Sequence, residues 1–70
     1  MSVPAEPIHS LPAVLLTADD LARRWRVPKA HVYRLSRERG LPTVKIGRYF
    51  RYRLAAVEAW EAEQEERASS

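Results

Sequence analysis

Val27-Pro28 lies between two stretches of helical periodicity, and no other feature restricts the fold of this chain so tightly. Pro28 has no backbone N–H and its ring blocks the turn before it, so one helix cannot run through it. The same ring suits the first turn of a following helix. The pattern therefore reads as two short helices, of roughly nine and eleven residues, meeting at a very short turn, which is helix-turn-helix geometry.

The flanking signals agree. Upstream, Thr17 is a candidate N-cap with Asp20 three positions on as the acidic partner of a capping box, and Leu16 and Leu21 are placed as a hydrophobic staple. Ala18, Leu21, Ala22 and Trp25 repeat at i, i+3, i+4 and i+7, one buried stripe. Arg23, Arg24 and Arg26 mostly fall outside it. Asp19 and Asp20 sit where the helix dipole favours negative charge. No nucleophile or metal ligand accompanies them, so they read as helix initiation rather than as a catalytic carboxylate pair. Downstream, a helix is expected from about Pro28 or Lys29 to Arg39, with Val32, Leu35 and Ser36 turned inward. Gly40 follows as a left-handed C-terminal cap, Leu41 is able to pack back on Leu35, and Pro42 ends the element.

Thr43 to Arg53 then contains two β-rich runs around Gly47, a hairpin signature. A two-residue Gly47-Arg48 loop pairs Ile46 with Tyr49; a three-residue loop pairs Ile46 with Phe50. The second register is preferred here. It puts Val44, Ile46, Phe50 and Tyr52 on one face and Lys45, Arg51 and Arg53 on the other. A final helix is expected over about Leu54 to Glu66, with Leu54, Ala56, Val57 and Trp60 inward and Trp60 plugging the core against Trp25 and the hairpin.

Size and composition set limits. A 70-residue chain without cysteine has neither disulfides nor a Cys-based zinc site to staple it, and its core is too small for an enclosed catalytic cavity. No nucleophile–base pair or phosphate-binding glycine loop is present, so no enzyme activity is expected. The one imidazole available to join His31 is His9, which argues against a metal site; no cofactor is expected. Pro4, Pro7 and Pro12 mark residues 1–13 as a disordered arm, residues 14–66 as the folded domain and 67–70 as a flexible tail. The apolar run Pro12 to Leu16 is far too short to span a bilayer, and a cytoplasmic location is expected. Charge is segregated: residues 1–53 hold eleven Lys/Arg and four Asp/Glu, net +7, whereas residues 54–70 hold one Arg and five Glu, net −4. A cationic body followed by an acidic helix suits a polyanionic partner.

The run Leu16-Thr17-Ala18-Asp19-Asp20-Leu21-Ala22, then His31-Val32-Tyr33-Arg34, Gly40-Leu41-Pro42, Lys45-Ile46-Gly47-Arg48, Phe50-Arg51-Tyr52 and Val57-Glu58-Ala59-Trp60 resembles the excisionase-type winged helix-turn-helix domain, a relative of the MerR superfamily. The likeness extends from Leu15 to about Glu63. It implies a mainly α, α+β fold of three helices with a two-stranded β-hairpin wing between the second and third. Such domains are small DNA binders. Many are phage or plasmid excision factors (recombination directionality factors) that bend attachment-site DNA, associate cooperatively on it and steer an integrase; others regulate transcription. A protein-interaction module is a third reading. One departure stands out: Leu54-Ala55-Ala56 offers no side-chain N-cap where the family often has Ser, Asp or Glu, a loss of about 1 kcal/mol.

On this reading the second helix enters the major groove of double-stranded DNA. Arg34 is the candidate for a bidentate contact to guanine and Ala30 for a thymine methyl. Lys29 and Arg37 serve as phosphate clamps, with Tyr33 and His31 beside them. Arg48, at the wing tip, enters the minor groove. Lys45, Arg51 and Arg53 follow the flanking backbone, and Arg23 and Arg24 approach phosphate from the first helix.

Overall fold

Described over residues 14–69 by a computed structural model, the chain forms β1 (Leu15–Leu16), α1 (Ala18–Trp25), α2 (Lys29–Glu38), β2 (Val44–Ile46), β3 (Tyr49–Arg53) and α3 (Leu54–Ser69). The segment 1–13, read above as an arm and containing His9, lies outside the described residues.

The helix boundaries follow from local chemistry. Thr17 caps α1 reciprocally: its hydroxyl accepts the Asp20 N–H at 3.1 Å, and the Asp20 carboxylate accepts the Thr17 N–H at 2.9 Å. At the other end Arg26 adopts a left-handed conformation, φ 58°, and the Val27 N–H closes on the Ala22 carbonyl at 3.0 Å. Pro28 then occupies the N-cap of α2. Gly40, at φ 72°, turns the chain out of that helix and brings the Leu41 N–H to the Leu35 carbonyl at 3.3 Å. Leu41 is thereby folded back into the core.

The strands form an antiparallel sheet in the order β1-β3-β2. The hairpin expected from sequence is present, and Leu15 and Leu16 add a third short strand by pairing with Arg53 and Tyr52. The hairpin register differs from the one preferred above. Ile46 pairs with Tyr49, Lys45 with Phe50 and Val44 with Arg51. Val44 and Ile46 therefore share the outer face with Tyr49, Arg51 and Arg53, while Lys45 joins Phe50 and Tyr52 on the inner one. Turn geometry outweighs the clean sorting of apolar from basic residues. Gly47 takes the positive φ, 62°, that a two-residue hairpin loop requires at its first position. The misplaced charges are accommodated: the Lys45 ammonium lies 5.6 Å from the Phe50 ring centroid, and the Arg51 guanidinium lies 5.3 Å from that of Tyr49.

Ala18, Leu21, Val32, Leu41, Tyr52 and Val57 make up the buried core. Tyr52, rather than Trp60, fills its centre. Trp60 lies one turn past Val57 and is half-buried against Trp25, ring centroids 5.6 Å apart, with its indole N–H donated to the Arg39 carbonyl at 3.2 Å. An indole needs a partner for that N–H, and the exposed end of α2 supplies one. The first N–H of α3, which has no side-chain cap, is taken by the carbonyl of Val14 at 3.2 Å, so the residue just before β1 substitutes for the missing cap. Helix α3 also includes residues 67–69, assigned above to a flexible tail; the Ser69 hydroxyl donates to the Glu65 carbonyl there. No helix among the described residues is long and apolar enough to cross a membrane.

Candidate nucleic-acid interface

Burial of Val32 sets the orientation of α2. With Val32 fully buried, the 100° step of the helix carries Ala30, Arg34 and Arg37 to the opposite side, and all three are exposed. Lys29 is exposed at the helix start, where its ammonium lies 3.4 Å from the Asp19 carboxylate. Tyr33 is half-buried, its ring set edge-on to Phe50 with centroids 5.8 Å apart and planes at 73°. That contact brings the wing alongside α2. Between them runs an open cleft of about 280 Å³ lined by Tyr33, Arg37, Arg48, Tyr49, Phe50 and Arg51. Three guanidinium groups from two elements thus border one groove with an aromatic lining. Arg51 is held in place by its neighbours: Nη1 donates to the Phe50 carbonyl at 2.8 Å while the group stacks on Tyr49.

Five of the candidates lie elsewhere. His31 is on the other flank of α2, in a shallow hollow with Trp25, Val27, Leu35, Trp60 and Gln64. Arg24 is occupied: Nε and Nη2 donate to the two oxygens of Glu61 at 2.7 and 2.8 Å, and the Trp25 indole N–H joins them at 2.6 Å. The Arg24 guanidinium bonds hold the Glu61 carboxyl below its ordinary value, against a smaller opposing effect of burial. The same pair raises Arg24. Arg23 is exposed but bonded to Asp20 at 2.9 Å. The Asp20 carboxyl is itself held low, chiefly by the Thr17 backbone N–H it accepts. Lys45 and Arg53 are exposed on the sheet, Arg53 at the end far from the loop.

Tyr49 and Phe50 border the cleft but were not among the DNA-contacting residues expected from sequence. The signal available was the alternation in Tyr49-Phe50-Arg51-Tyr52-Arg53, which becomes informative once the two-residue loop places Tyr49 opposite Ile46.

Two helices joined by a tight turn, with an adjoining β-hairpin, define a winged helix-turn-helix, a class that binds DNA through its second helix. The chain belongs to the helix-turn-helix domain family, whose sequence profile matches residues 15–65. Comparison with curated proteins returns no match. Comparison with solved structures returns none either.

Proposed function

We propose that this protein is a non-catalytic, sequence-specific binder of duplex DNA acting as an excisionase-type factor: it bends attachment-site DNA and promotes excision by an integrase. The observation that carries the DNA-binding part is the cationic cleft between α2 and the wing. A helix in a major groove and a hairpin in the adjacent minor groove must straddle one phosphodiester strand. The space between them here is bordered by Arg37, Arg48 and Arg51. Arg34 and Ala30 then face base edges, Arg34 reading guanine and Ala30 a thymine methyl. Lys29 and Arg37 contact phosphate, Arg48 enters the minor groove, and Lys45, Arg51 and Arg53 follow the backbone. Arg23 reaches phosphate only by leaving Asp20. Arg24 and His31 are left out of the interface, the first because of Glu61 and the second because it faces away from the wing.

The excisionase role is supported by the sequence resemblance of residues 15–63 to excisionase-type domains. Gel shifts on attachment-site fragments, paired with an integrase excision assay, test it. Stepwise shifted bands, marking cooperative self-association on DNA, and stimulated excision are expected. Binding confined to promoter DNA, with recombination unchanged, assigns the chain to transcriptional regulation instead. Failure to shift any duplex at low salt overturns DNA binding and favours a protein partner.

A further inference from the structure

Tyr52 carries a hydroxyl into the centre of the core. Its side chain is fully buried, and its oxygen lies 2.8 Å from the hydroxyl of Ser36 on α2. Ser36 has one proton, which it donates to the Val32 carbonyl at 3.1 Å. Toward Tyr52 it is therefore an acceptor, and the phenol donates. A phenylalanine ring fills nearly the same volume with no polar group to satisfy, so packing alone does not call for this hydroxyl. What the hydroxyl adds is direction, because a hydrogen bond loses strength steeply with misalignment while an apolar contact tolerates sliding.

A second contact runs beside it. Tyr33 and Ser36 are one turn apart on α2; Phe50 and Tyr52 share the inner face of β3. Tyr33 meets Phe50 edge-on, and Ser36 meets Tyr52 by hydrogen bond. We propose that these two rungs form a clasp between recognition helix and wing, in which Ser36 and Tyr52 are positioning residues that fix where the wing tip stands relative to α2. The proposal rests on the DNA-binding reading above. Tyr52 lies four residues from Arg48, a lever of ~13 Å at the rise of a strand, so a tilt of ~10° at the clasp displaces the tip by ~2 Å. A displacement of that size uncouples a minor-groove contact from a helix seated in the major groove.

The test is a double-mutant cycle on the full chain, read by fluorescence anisotropy on a duplex carrying its selected site. Tyr52→Phe is expected to keep the circular dichroism spectrum and a cooperative melt, yet to weaken binding about fivefold, the worth of one ordinary hydrogen bond. Arg48→Ala is expected to weaken binding in the parent and to have little further effect in the Tyr52→Phe background. Ser36→Ala, which keeps the ring and removes its acceptor, serves as the second variant and is expected to show the same loss of the Arg48 effect. Residual dipolar couplings should report a changed or broadened angle between α2 and β3 in both. An undiminished Arg48 effect in both backgrounds overturns the clasp while leaving DNA binding intact. Absence of an Arg48 effect in the parent overturns the wing reading beneath it, and the clasp's role in recognition with it.

Discussion

Replacing Glu61 by alanine removes the acceptor that ties α3 to α1. In the intact protein its two oxygens receive both guanidinium bonds of Arg24 and the indole N–H of Trp25, at 2.6–2.8 Å. The Arg24 side chain is 39% exposed and that of Glu61 29%, so the ion pair is screened. An exposed pair contributes about 0.2–1 kcal/mol, toward the upper end when bidentate. The indole bond to a charged acceptor adds roughly 1 kcal/mol once partial exposure is allowed for. Together Glu61→Ala should cost about 1.5 kcal/mol, or ~6–12 °C in Tm for a domain of this size, measured by thermal circular dichroism. The pH dependence has a defined sign. The folded carboxyl lies below its reference value of 4.5, so its contribution is present above about pH 4.5 and is lost as pH falls through the depressed folded value. The parent should therefore lose its advantage over Glu61→Ala in acid. Arg24→Ala should cost little more in the Glu61→Ala background. Releasing Arg24 should also steepen the salt dependence of DNA binding by up to ~1 in the log–log slope. A variant that melts with the parent at pH 7, or losses from Arg24→Ala and Glu61→Ala that simply add, refutes the reasoning.

Other substitutions probe separate parts of the structure. Arg34→Ala should relax sequence preference, costing about 1–3 kcal/mol on the cognate site and little on scrambled duplex, whereas Arg48→Ala should weaken both more evenly; anisotropy on the two duplexes decides, and equal small losses reject the assignment. If about six phosphates are neutralised, the log–log salt slope of binding should be near −5, and a salt-independent affinity rejects a phosphate-dominated interface. Thr17→Ala removes one half of the α1 capping box and should cost about 1 kcal/mol in urea unfolding, with an unchanged midpoint counting against the cap. Arg26→Val places a β-branched side chain at φ 58° and should destabilise by at least ~1 kcal/mol, so a melt at or above that of the parent contradicts the left-handed geometry.

Helices α1 and α2 were legible in the sequence because their determinants are local. Thr17 and Asp20 are three residues apart, Pro28 sits at the turn itself, and Gly40 immediately follows the C-cap of α2. Neighbouring backbone groups decide such features, and the chain carries their side-chain partners within one turn. The outward set of Ala30, Arg34 and Arg37 followed from the inward set by periodicity alone. What depended on distant residues was not legible. Arg24 has the composition of a phosphate contact, but Glu61, thirty-seven positions away, occupies it. Trp60 yields the centre of the core to Tyr52, whose hydroxyl finds Ser36 sixteen positions away. Two hairpin registers were compatible with the strand residues, and the choice between them lay in the backbone of Gly47. Even the start of α3 depends on a carbonyl from Val14, forty residues upstream in the chain. In each case the sequence names the groups that need partners, and only the packed chain decides which partners they meet.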